Sequence, residues 1–141
     1  MRVLIFSLIL TLSFTSNAQS SYMPKTLDMK ERAVIVDRWL RERMATVLPD
    51  LMKRTGIDMW LIIAREYNED PILRTMLPST WQSARRTTIL VIYDPGDQKP
   101  LETMAMARYA VGDLFRKVWD KETQPDQWKA LAALIKEKDP K

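Results

Sequence analysis

Apolar and polar positions fall in blocks along this chain, and most blocks have a readable period. After Met1-Arg2 an apolar run extends from Val3 to Phe14, and Ser16-Asn17-Ala18 sets small residues behind it. A positive start, an apolar middle and a small-residue end make a cleavable export signal, read as residues 1–18. The run is shorter than the roughly 20 apolar residues of a membrane-crossing helix. Residues 19–27 are mostly polar, contain Pro24 and read as an extended lead-in, so the folded domain is expected over 28–141. There Asp28 can cap a helix, with Glu31 three residues later completing a capping box. Ile35, Trp39, Leu40, Met44 and Val47 recur at intervals that share one helical face, opposite Arg38, Arg41, Glu42 and Arg43. Pro49 predicts a break near Leu48 and the first turn of a second short helix to Thr55, which Gly56 ends in a left-handed conformation.

Ile57–Ala64 is a compact apolar run between turn-like flanks, the pattern of a strand covered on both faces. The polar stretch Arg65-Glu66-Tyr67-Asn68-Glu69-Asp70-Pro71 follows as a loop at its carboxyl end, where α/β sheets often bind ligands. Pro78–Arg85 reads as irregular, with Trp81 covering the core. Thr87–Tyr93 is rich in β-branched residues and predicts a strand; Asp94-Pro95-Gly96-Asp97 is a turn signal, and Leu101–Ala107 can return as the hairpin partner. Residues 108–120 fit a helix through Val111, Leu114, Phe115 and Val118, or a strand through Gly112 and the run Phe115–Trp119. Pro125-Asp126 starts a last helix, with Trp128, Leu131, Ala132, Leu134 and Ile135 inward and Lys129, Lys136 and Lys138 toward water. Intermixed helices and strands predict an α/β or α+β domain. Its sheet is small, and one or more last strands are expected to be missing where the sequence stops at Lys141.

Composition narrows the chemistry. The 141 residues suit a single domain and contain neither cysteine nor histidine. Zinc sites built on those side chains and the Ser-His-Asp and Cys-His nucleophile systems are therefore excluded within the chain, as is any disulfide. The formal charge is +4, and basic residues alternate with acids, as in Lys30-Glu31-Arg32 and Arg41-Glu42-Arg43. Nucleic-acid binding is not indicated. Three glycines are too few for a phosphate-cradling loop. Nine methionines suit a gap-filled core, and five tryptophans require apolar cover, in the core or at an interface.

Two constellations could carry chemistry. Glu66, Glu69 and Asp70 place three carboxylates within five residues, a cluster able to hold a hard divalent cation or to divide acid and base roles, although the spacing is not that of a calcium loop. Arg65, Arg85 and Arg86 could hold a carboxylate or phosphate through bidentate contacts, or could pair with neighbouring acids. A solvated loop with internal salt bridges is the alternative for the whole Arg65–Asp70 stretch, Tyr67 and Asn68 included.

The stretch Gly56-Ile57-Asp58-Met59-Trp60-Leu61-Ile62-Ile63-Ala64-Arg65-Glu66-Tyr67-Asn68-Glu69-Asp70-Pro71, then Arg85-Arg86 before a strand, Ala107-Arg108-Tyr109 and Val118-Trp119-Asp120, resembles the N-terminal domain of exported bacterial Xaa-Pro aminopeptidases. These belong to the creatinase, aminopeptidase P and prolidase superfamily, peptidase family M24. The resemblance implies a mixed sheet flanked by helices that helps form dimers or higher oligomers and shapes the entrance of a neighbouring active site. It also implies a C-terminal catalytic domain of pita-bread fold, whose two Asp, one His and two Glu hold two divalent metals (manganese, cobalt or zinc) and which removes a residue preceding proline. None of those ligands can be matched in this chain. Its implied role is accordingly noncatalytic and cofactor-free, and its implied partners are its own catalytic domain and further copies of the chain, with no nucleic acid and no membrane after signal cleavage. The expected location is periplasmic or secreted, and the sequence is expected to be a truncated product or fragment. Read without the resemblance, the chain could instead be a free-standing exported α/β protein that binds a small ligand or peptide with the Arg65–Asp70 loop and the Arg85-Arg86 pair.

Overall fold

Asp28 and Glu31 close the capping box that their spacing predicts: the Asp28 carboxylate accepts from the Glu31 N–H at 2.7 Å, and the Glu31 carboxylate accepts from the Asp28 N–H at 3.2 Å. The computed structural model describes residues 26–96 and 99–141, so the expected export signal, nearly all of the lead-in and Asp97 of the turn lie outside the described residues. From the capping box helix α1 runs over Met29–Glu42, and α2 over Leu48–Thr55. The expected break between them is absent. Arg43–Val47 instead form a π-helical segment, within which the Leu48 N–H reaches back five residues to the Arg43 carbonyl. Pro49 has no N–H to give, and its ring would crowd the carbonyl four residues earlier. Widening the turn just before it lets the helical run continue past Pro49.

The widened segment also alters which face is buried. Leu40, Met44, Leu48 and Met52, four residues apart, form the buried stripe, while Trp39 and Val47 stand exposed. In a regular α-helix each four-residue step drifts by about 40° around the axis. A wider turn offsets that drift, so the stripe stays on the core; of the expected face Leu40 and Met44 are buried and Ile35 is half-buried, while Trp39 and Val47 turn outward. Gly56 takes φ +66° and ends α2, as expected.

The sheet has the order β1-β2-β3-β4, with β1 at Met59–Arg65, β2 at Thr87–Tyr93, β3 at Glu102–Met106 and β4 at Arg116–Lys117. The first two pairings are antiparallel and the last is parallel, a mixed sheet. β2 and β3 form the predicted hairpin. Residues 108–120 are not helical: Val111 and Phe115 bridge each other around Gly112, and the strand alternative holds through β4.

Alternation along the strands builds two cores. Ile62, Ala64, Leu90, Ile92 and Ala105 face the α1–α2 stripe, Leu73 and Met76 of a short helix α3 (Pro71–Met76), and Phe115. Ile89, Val91, Met104 and Met106 face Leu131 of helix α4 (Gln127–Lys138) and Trp119. Helices thus flank the sheet on both sides, and the α/β class with a mixed sheet stands. Asp37 fastens α1 to the connection after α3 by accepting from the Ser79 N–H at 2.7 Å and its hydroxyl at 2.9 Å. Trp81 is partly buried against the first core, as expected.

Three expectations about faces need correction. On β1, Ile62 and Ala64 are buried on one face and Met59 and Leu61 on the other are partly buried, but Ile63 is 44% exposed, so the second face is only partly covered. The reason is the placement of α4, which begins over β2 and β3: Gln127 Nε2 donates to the carbonyls of Thr87 and Met106. On α4, Trp128 is 56% exposed and Ala132 is exposed, leaving Leu131, Leu134 and Ile135 as the covered face. Lys138 does not face water. Its side chain is only 17% exposed, and its ammonium lies 2.8 Å from Glu102 and over the Tyr93 ring.

Candidate functional site

The last residue of β1, Arg65, pairs with the first of β2, Thr87. Continuing the β2–β3 register two residues beyond Ile89↔Met106 sets Arg108 level with Thr87. One end of the sheet therefore gathers the Arg65–Asp70 loop, the Arg85-Arg86 approach to β2 and the exit from β3.

The loop is a tight, fastened turn. Arg65 and Asn68 exchange backbone hydrogen bonds at 3.1 and 2.8 Å, closing around Glu66 and Tyr67. Tyr67 sits at φ 67° with its ring in solvent. Glu66 ties this turn to the next strand, since its N–H donates to the Arg86 carbonyl at 2.7 Å and its carboxylate accepts from the Arg86 N–H at 3.3 Å. Arg86 also takes a positive φ, 54°, at that junction.

The three carboxylates do not converge. Glu69 Oε1 accepts from the buried Ala84 N–H at 2.6 Å and Oε2 lies 3.6 Å from Arg74 Nε, with the side chain only 11% exposed. Asp70 accepts from the Ile72 N–H at 2.8 Å and caps α3, where Pro71 occupies the first turn. Glu66 is spent on Arg86. Among the described residues no three acidic side chains form a group able to hold a metal ion. With no imidazole in the chain, the donors present do not fit the metal pair that the resemblance associates with the catalytic domain.

The arginines behave differently. Arg85 lays its guanidinium over the Trp81 ring at 4.6 Å, and its backbone is held on both sides by Thr88, whose buried hydroxyl accepts from the Arg85 N–H and donates to its carbonyl. A cleft of about 410 Å³ is lined by Arg65, Glu66, Arg85, Arg86, Arg108 and Gln127, among others. Glu66, Arg85, Arg86 and Arg108 also line a second cleft of about 320 Å³ on the Trp81 side. Among the described residues none of these four arginines lies within salt-bridge distance of a carboxylate; the loop's own ion pair is Glu69–Arg74. The structure thus brings Arg65, Arg85 and Arg86 together as a group, leaves Tyr67 at the rim and uses Asn68, Glu69 and Asp70 structurally.

Arg108 and Gln127 are site residues that the residue-by-residue reading missed. Arg108 carries a signal, a cation directly after a strand whose register can be counted. Gln127 carries none, because only the packing of α4 brings it over Thr87. No family model, curated protein or solved structure matches the chain.

Proposed function

We propose that the chain acts as the noncatalytic N-terminal domain of an exported dimetal Xaa-Pro aminopeptidase-like metallopeptidase of family M24, with a creatinase-like fold, shaping the entrance of the active site and helping form dimers. The observation that carries this reading is the continuity of the stretch that holds the resemblance. Gly56 through Pro71 makes one fastened unit of helix stop, edge strand, closed turn and helix start, locked to Arg86 of the second resembling stretch. Such a unit presents a firm rim at the end of the sheet. Exposed aromatic residues at Trp39, Tyr67, Tyr109 and Trp128 supply apolar area for a neighbouring domain or copy. The metals, manganese, cobalt or zinc, belong in this proposal to the catalytic domain.

The test has two readouts. The gene beyond the codon for Lys141 should encode a domain carrying two Asp, one His and two Glu ligands, and the protein including it should cleave Xaa-Pro peptides with manganese or cobalt. The 141-residue chain under the same conditions should not cleave them. Proline-specific cleavage by this chain alone overturns the noncatalytic role, and the lack of any such encoded domain overturns the M24 assignment. Export is tested separately: the protein recovered outside the cytoplasm should begin at Gln19.

The second reading, a free-standing exported binding protein, is favoured by the arginine-lined cleft. A stable monomer that binds peptides without any larger domain would select it.

A further inference from the structure

We infer that the cleft formed by Arg65, Arg85, Arg86 and Arg108 is a binding site for a small molecule carrying two or more carboxylate or phosphate groups. Such a site would be present whether or not the chain belongs to an M24 enzyme.

Charge is the first argument. Four arginines and one acidic residue, Glu66, line the cleft, and the Glu66 carboxylate is already engaged by the Arg86 N–H. Four cationic residues around one concave surface concentrate a positive potential there, which an oxyanion relieves. Elsewhere five arginines are paired, as in Arg41 with Asp113 at 2.7 Å and Arg74 with Glu69, while Arg32 and Arg43 have no carboxylate partner among the described residues but stand apart from one another. Among the described residues, the absence of such a partner is shared by all four cleft arginines.

Preorganisation is the second. Arg85 is stacked on Trp81 and its backbone is clasped by Thr88, so one guanidinium face is fixed before any ligand arrives. Arg86 is fixed through its backbone by Glu66, and Arg65 closes the turn with Asn68. Gln127 spends its amide on two strand carbonyls, which seals the wall between α4 and the sheet. Planar guanidinium groups on such a frame suit bidentate capture of carboxylate or phosphate oxygens. The volume, about 410 Å³, falls in the range of small-molecule sites, roughly 300–1,000 Å³.

The experiment titrates the full chain at low ionic strength with sodium citrate and, separately, with sodium pyrophosphate, following the backbone amide resonances of Glu66, Arg86 and Gln127. At least one anion should move these resonances to saturation, and the tighter of the two tells a carboxylate ligand from a phosphoryl one. Arg86→Gln and Arg108→Gln should each weaken binding about tenfold, the loss expected for one charge-assisted contact. Lys129→Gln, on the exposed side of α4, should leave it unchanged. Both cleft side chains are exposed, so these variants should fold; should either fail to, the titration of the unmodified chain still decides. The site is refuted if neither anion saturates, or if Lys129→Gln weakens binding as much as the cleft variants do.

Discussion

Glu69 reaches across the candidate site to the backbone of Ala84, accepting its buried N–H at 2.6 Å, and so joins the start of α3 to the approach of β2. One of the three residues read from the sequence as a carboxylate cluster is thus a structural brace. Removing it leaves a buried donor unpaired.

Glu69→Ala should therefore cost about 1–3 kcal/mol, the usual penalty for orphaning a buried N–H. Glu69→Gln keeps an acceptor and should recover part of that loss. Glu66→Ala, which frees an exposed N–H on Arg86, should cost at most about 1 kcal/mol. Urea unfolding of the three variants checks the order, and a larger loss for Glu66→Ala would contradict it.

Gly112 and Gly56 both take positive φ, but a side-chain carbon at Gly112 would meet the Pro78 ring at 2.9 Å, while at Gly56 it would meet nothing within 4 Å. Gly112→Ala should then be the costlier change, adding steric displacement to the roughly 1 kcal/mol of left-handed strain that Gly56→Ala carries alone. Thermal midpoints of the two variants separate the terms.

Lys138 donates to Glu102 and, with a contribution from Arg116, holds the Glu102 carboxyl below its ordinary value. A carboxyl lowered in the folded state contributes stability that is fully present above the unfolded pKa, about 4.3, and is lost as the pH falls through the folded value. Glu102→Gln should destabilise the chain by about 1 kcal/mol at neutral pH and make its thermal midpoint less sensitive to pH below 4.3. Asp113, beside Arg41, and Asp120, bonded by Thr123, are shifted in the same direction and add to the acid sensitivity that remains.

The covered face of α4 can be read by truncation. Leu131→Ala should cost about 2–5 kcal/mol and Trp128→Ala, on the open side, no more than about 0.5 kcal/mol. A large loss at Trp128 would mean that the indole is covered in solution, by a neighbouring copy or domain.

What the sequence made legible followed from strong local signals. The run of β-branched residues from Thr87 to Tyr93 became a strand at those bounds, and Asp28 with Glu31 and Gly56 marked helix ends through chemistry that acts within a few residues. Helix α3 was missed because six residues are too few to show a period, although Asp70-Pro71 is a start signal in its own right. The π-helical segment was invisible because a proline normally marks a boundary, and only the four-residue spacing of Leu40, Met44, Leu48 and Met52 hints at an underwound turn. The arginines of the site were legible as residue types, but their convergence depended on strand register, and Gln127 on how a helix 40 residues from Thr87 packs.

The margins of the sheet are unequal, seven residues at β1 against two at β4. Among the described residues no strand pairs with the outer side of β1, and Arg65 is its one charged residue. Arg65 is closed off by Asn68, but the main-chain groups from Met59 to Ala64, roughly 20 Å at 3.3 Å per residue, form a border to which an extended polypeptide can add. Strand-to-strand association of this chain at high concentration is accordingly expected along β1, where a single cation borders an otherwise greasy seam.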